Sequence, residues 1–121
     1  MTQPHFPGNA ADLFLDDSAM DDLAWLVALA QSRGASRLLI LSGKPLVARK
    51  NGELTPPLLP SRVHFSQVER LVSALLTQQQ HDALNRDGEL ELVHDFRGRP
   101  CPVTVFYGDG AHNIIIHLEQ N

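Results

Sequence analysis

The 121-residue sequence holds a single cysteine, one tryptophan and one tyrosine. It has no apolar run near the ~20 residues that a membrane-crossing helix needs. Cys101 has no second cysteine to pair with, and no other ligand type stands beside it at metal-site spacing. The opening residues Met1-Thr2-Gln3-Pro4-His5 lack the basic and then apolar stretches of a secretion signal. Together these absences exclude a disulfide scaffold and a membrane span, and they predict a soluble cytoplasmic protein. The length predicts one domain that buries roughly two-thirds of the unfolded chain's surface.

An excess of basic charge is also missing. The formal net charge is −4, and all of the imbalance sits in residues 1–22, which carry five aspartates and no lysine or arginine. The remaining residues carry ten bases against nine acids. A near-neutral body has no electrostatic footprint for nucleic acid. Arg97 and Arg99 flank Gly98 and read as a solvated hairpin tip rather than a phosphate clamp.

Residues 1–17 read as a flexible acidic tail and residues 18–121 as the folded domain. The cluster Leu13-Phe14-Leu15 in that tail is either a strap laid back on the domain or a short docking peptide. The concentrated charge points to docking, with little consequence for the fold if the tail is removed. A first helix is predicted from Met20 to Arg33, with Asp17 or Ser18 as its cap and an apolar stripe of Met20, Leu23, Leu26 or Val27, and Ala30. Gly34 suits the left-handed residue that closes a helix.

Strands are predicted at Arg37–Leu41 and Leu46–Lys50, with Asn51-Gly52 as a hairpin turn into Glu53-Leu54. Pro56-Pro57 leads an ordered connector in which Leu58 and Leu59 cover one face. A second helix begins with a capping box of Ser66 and Glu69, and carries the stripe Val68, Leu71, Val72, Leu75, Leu76. Thr77 caps a short third helix. Beyond Gly88 the apolar period changes from 3.6 to 2, which predicts three antiparallel strands, the middle one starting at Val103. Hairpins rather than strand–helix–strand units define an α+β protein. It has an antiparallel sheet of five to six strands, with two main helices and one short helix on one face.

No constellation for catalysis is present. Ser42-Gly43-Lys44-Pro45 places proline where a phosphate loop needs an N–H donor, and Gly108-Asp109-Gly110 enters a strand instead of a helix. His112 and His117 are five apart on a strand and so face opposite ways. Cys101, between two prolines, lacks the helix N-terminus that would lower its thiol pKa. Glu89 and Glu91 share a strand face about 7 Å apart, with no apolar pocket to raise either pKa. No metal, cofactor or catalytic residue is predicted.

The run from Arg33-Gly34-Ala35-Ser36 through Ser42-Gly43-Lys44-Pro45 and Arg49-Lys50-Asn51-Gly52 resembles the amino-terminal domain of type IV pilus retraction ATPases. These belong to the PilT and type II/IV secretion ATPase superfamily. The similarity continues through Pro56-Pro57, the helix ending near Leu75-Leu76-Thr77-Gln78 and the hairpin from Gly88 to Phe106. It implies a PAS-like fold, which in that family precedes a RecA-like motor and packs against a neighbouring subunit's motor in a hexameric ring. The sequence departs from the family at Arg37 and Leu39, where an aspartate and a histidine are usual, and at Cys101-Pro102-Val103, where arginines alternate with apolar residues. The motor with its phosphate loop is expected to be absent.

These readings predict a non-catalytic adaptor that binds a secretion or pilus motor or another assembly component, with self-association possible. Arg37, Arg49, Glu89, Glu91, Arg97 and Arg99 are the candidate partner-facing residues. Leu13, Phe14 and Leu15 are the candidate docking tail. A small-ligand sensor with a PAS-like pocket is the alternative, and a cryptic enzyme a distant third.

Overall fold

Two-residue turns at Asn51-Gly52, Arg97-Gly98 and Asp109-Gly110 set the path of the chain. Their φ values are 54° and 81°, 55° and 88°, and 56° and 80°. Positive φ at both positions defines the type I′ hairpin, whose twist matches that of the strands it joins. The protein is described here by a computed structural model covering residues 8–118. In chain order it contains a 3-10 turn (Ala10–Asp12), α1 (Ala19–Ser32), β1 (Arg37–Leu41), β2 (Val47–Lys50) and β3 (Glu53–Leu54). There follow α2 (Phe65–Leu75), α3 (Gln78–Asp87), β4 (Glu89–Phe96), β5 (Arg99–Gly108) and β6 (Ala111–His117). This is an α+β protein. The strands form one sheet in the order β3-β2-β1-β6-β5-β4, and every pairing is antiparallel.

Alternation along the strands selects one face for the core. Leu38, Ile40, Ala48, Val103, Val105, Ile114 and Ile116 are buried there with Leu23, Leu26, Val27 and Ala30 of α1. Val68, Leu71, Val72 and Leu75 of α2 and Leu84 of α3 complete the layer, and Leu90 and Leu92 pack half-buried at its edge. The helix stripes therefore match the sequence pattern, while the helix ends differ from it. Ser18 makes no side-chain cap for α1; instead Asp16 Oδ1 accepts from the Ser18 N–H at 2.9 Å and its Oγ–H at 2.5 Å. At the other end Gly34 N–H donates to Gln31 O and Ala35 N–H to Ala30 O, the paired bonds of a Schellman motif.

The capping box of α2 lies two residues earlier than Ser66 and Glu69. His64 Nδ1 accepts from the Ser66 N–H at 3.1 Å, and Gln67 Oε1 accepts from the His64 N–H at 2.7 Å. Gln67 takes this place because its amide serves two ends at once. While Oε1 caps the helix, Nε2 donates to Ala10 O at 2.8 Å and Leu13 O at 2.9 Å. The middle strand of the meander also starts earlier than Val103, at Arg99. Tyr107 N–H points at Gly88 O on the β4 side, so even-numbered positions of β5 turn their N–H toward β6. Pro100 and Pro102 are even-numbered and lie beyond the first β5–β6 pair, Val103 with Ile116. Their missing donors cost the ladder nothing.

The largest departure is the N-terminal segment. Leu13 and Phe14 are fully buried in the core, as is Ala10. Ala10 N–H donates to Pro60 O at 2.9 Å, and Phe14 N–H donates to the buried carboxylate of Asp22 at 3.0 Å. Residues 8–17 are thus a strap across the domain rather than a free docking tail, and of the proposed cluster Leu15 alone is half-exposed. The remaining tail residues, 1–7, lie outside the described part. Average composition concealed this because two large side chains, each contributing about 1.5–3 kcal/mol on burial, outweigh the acids around them, which remain at the surface.

Two substitutions check this architecture. Phe14→Ala is expected to cost about 3–5 kcal/mol in urea unfolding, and Leu15→Ala to stay within about 0.5 kcal/mol. Equal effects would place both side chains in the same environment, contrary to the strap. Gly52→Val, at φ 81°, is expected to lose about 1–3 kcal/mol; an unchanged unfolding midpoint would exclude a left-handed residue there.

Candidate interaction face

The helices cover one side of the sheet, and the register determines what the other side displays. One row runs Glu91, Thr104, Ile115, Leu39, Val47 from β4 to β2, each residue the cross-strand partner of the next. Beside it run His117, Arg37, Arg49 and Leu54 on β6, β1, β2 and β3. On the other side run Glu89, Phe106, Asn113 and Leu41. Leu39 is buried without belonging to the core cluster between sheet and helices. The face thus has an apolar centre, an acidic edge on β4 and a basic side on β1 and β2.

Arg37 and Arg49 stand directly opposite each other, a placement that ordinarily destabilises an antiparallel pair. Neither forms a salt bridge among the described residues; Arg49 Nη1 donates to Gly52 O at 3.4 Å. With Ser36, Asn51 and Gly52 they line a groove of about 600 Å³. A second groove of about 420 Å³ lies between β4 and β5, with Glu91, Val93, Pro102, Thr104 and His117 among its walls. Thr104 Oγ1 and His117 Nε2 are 3.2 Å apart at its floor, and Val93 is 66% exposed.

Of the sequence-derived candidates, the fold brings Arg37, Arg49, Glu89 and Glu91 onto this one face. Arg97 and Arg99 sit apart, exposed at the β4–β5 hairpin end beyond the reach of β6. Leu13 and Phe14 are internal. Thr104, His117, Val93 and Pro102 were not among the candidates. A signal for a two-sided sheet was present, since β1 and β6 are unbroken apolar runs at residues 38–41 and 114–116 rather than alternating ones.

On the helix side, His112 Nδ1 pairs with Glu69 Oε1 of α2, and its ring meets Tyr107 edge-on at 5.2 Å between centroids. Glu69 is therefore engaged with the sheet rather than with the helix cap. Cys101 and His94 are cross-strand partners, yet the thiol's hydrogen bond runs to Arg99 O at 3.8 Å. Burial pushes the Cys101 thiol pKa up; nearby Arg99 opposes this and Asp95 adds to it. A protonated, buried thiol is a poor nucleophile. Among the described residues no three His, Cys, Asp or Glu side chains group into a metal site. No helix among them is long and apolar enough to cross a membrane.

Sheet order, helix placement and open face together define an α+β domain with one helix-covered side, a fold shared with part of a pilus retraction motor and of two other ATPases. The solved structures similar to it include the pilus retraction motor PilT with bound ADP, at TM-score 0.67 and 19% identity over 81% of this chain. The ATPase DotB of Legionella pneumophila gives 0.64 and 19% over 87%, and that of Yersinia pseudotuberculosis 0.56 and 17% over 96%. The matches span 29%, 31% and 32% of those proteins, so this chain corresponds to less than a third of each. No protein-family model matches the sequence, and no curated protein matches it at the sequence level.

The environment of Cys101 gives a direct test. Native protein is expected to react with a thiol reagent such as dithionitrobenzoate far more slowly at pH 7 than urea-unfolded protein. The raised folded pKa also has a defined linkage: its stabilising contribution is complete below the unfolded thiol's pKa and is lost as pH rises through the folded one. Equal labelling rates in the native and unfolded states would mean that the thiol is open to solvent.

Proposed function

We propose that these residues form a non-catalytic interaction module of the kind attached to pilus and secretion ATPases, binding a motor or another assembly component in the cytoplasm. The observation that carries this reading is the fold match to less than a third of PilT and DotB, combined with the lack of a phosphate-loop sequence within residues 1–121. Nucleotide chemistry needs backbone N–H groups cradling phosphates at a helix start. Here the nearest fragment, Ser42-Gly43-Lys44-Pro45, leads into a strand, and its Gly43 N–H is committed to Val63 O at 2.7 Å.

The packing favours a module over a PAS-like small-ligand sensor. Leu38, Ile40, Val103, Val105, Ile114 and Ile116 are each no more than 1% exposed and fill the space between sheet and helices. A polar ligand among these six would meet apolar side chains. Arg37, Arg49, Glu89 and Glu91 lie instead on the opposite face, where a protein surface reaches them.

Isothermal titration of the purified chain with a PilT- or DotB-type ATPase from the same cell tests the reading; saturable heat is expected, and its absence with every such ATPase would overturn it. The chain alone is expected neither to bind nor to hydrolyse ATP. Turnover that disappears on substituting one of its own residues would make it an enzyme.

A further inference from the structure

We infer that the helix-free face of the sheet is a two-fold interface between two copies of this chain. The inference goes beyond the motor-binding reading and does not rest on it. Its basis is that one surface carries both members of a charge pair. Arg37 and Arg49 lie on β1 and β2, Glu89 and Glu91 on β4 at the far edge, and the apolar pair Leu39 and Ile115 lies between them. An acidic partner would satisfy the arginines and be repelled by the glutamates, and a basic partner the reverse. A second copy of the same face supplies both counter-charges.

The symmetry follows from the strand order. Packed sheets lie about 10 Å apart, and neighbouring strands about 4.8 Å. In an aligned packing the strands of two sheets lie within about 30° of each other, so a two-fold axis relating the faces runs close to one of two directions, across the strands or along them. An axis across the strands would set β4 on its own copy and glutamate on glutamate, which is repulsive. An axis along the strands and above β6 sets each β4 over the partner's β2 and each β5 over its β1. Ile115 then meets its own copy at the centre, and Glu91 comes within side-chain reach of Arg49 of the partner subunit. Edge-to-edge pairing of two β4 strands is opposed by the same carboxylates, since overlap of residues 89–95 with both faces preserved sets Glu89 against Asp95. The paired acid–base contacts also relieve the repulsion between Arg37 and Arg49.

Sedimentation velocity of the full chain, from low micromolar to several hundred micromolar, reads the outcome. A reversible dimer that weakens as salt rises is expected. Arg37→Glu with Arg49→Glu, and separately Glu89→Lys with Glu91→Lys, should each weaken self-association by about tenfold or more. Mixing the two double variants should restore a one-to-one dimer, because the charged contacts across the axis are then again between opposite signs. Thermal melts accompany each variant, and glutamine replacements at the same positions substitute for any that fails to fold. A wild-type monomer throughout the range would overturn the proposal. So would a dimer indifferent to these charges, or double variants that fail to associate on mixing. Loss of motor binding in the arginine variant of a monomeric chain would assign the face to that partner instead.

Discussion

The antiparallel pairing of β1 with β6 is the constraint on which the rest of the structure depends. It joins strands 70 or more residues apart, Arg37 to His117 and Leu41 to Asn113 at its ends, and so fuses the N-terminal β1–β3 unit to the C-terminal meander. Because side chains alternate with a period of two, a slip of one residue would exchange the two faces. Leu38 and Ile40 would then turn away from the core that Ile114 and Ile116 still face. The same register aligns Glu91, Thr104, Ile115, Leu39 and Val47 across the open side. Core and candidate interface are therefore two consequences of one pairing. Asn113 anchors its end, accepting from the Ser42 N–H at 3.0 Å, while Ser42 Oγ–H donates to His112 O at 2.6 Å.

The strap shows how a short segment is retained on such a scaffold. Gln67 is 5% exposed, and burying an amide is costly unless its donors and acceptor are satisfied. Here its three side-chain hydrogen bonds all serve structure: one closes the start of α2 and two hold the backbone at Ala10 and Leu13. Asp22, also buried, holds the Phe14 N–H from the first turn of α1, where the helix dipole favours its charge. Phe14 itself adopts φ 57°, a strained conformation for an aromatic residue that persists because the ring fills the core beneath the strap.

Charge is arranged on the open face by strand order rather than by proximity in sequence. Arg37 and Arg49 are twelve residues apart, and Glu89 and Glu91 some forty residues further on, yet they flank one apolar strip. The fold shared with part of PilT and DotB accounts for the sheet and the helix layer. It does not by itself account for this distribution, since at 17–19% identity side-chain chemistry varies freely on a conserved scaffold.

What the sequence determined by itself is local. Asn51-Gly52 and the other glycine turns, the Thr77 cap, the stripe on α2 and the alternation in β4 are each decided by neighbours within a few residues, through steric and hydrogen-bonding preferences that operate before any tertiary contact. The α+β class and the antiparallel meander followed from those pieces. Only the tertiary structure decided where competing local options ended. Spacing pointed to Ser66 with Glu69 as the capping pair; His64 with Gln67 forms instead, because Gln67 also meets the strap and Glu69 also meets His112. Leu13 and Phe14 sit among acids that suggested solvent, and their burial depends on a surface assembled from α1, α2 and the connector around Pro60. The open face, likewise, has no local signature beyond two unbroken apolar strands, because its rows are made of residues from six strands, and long-range pairing joins the two halves of the sheet.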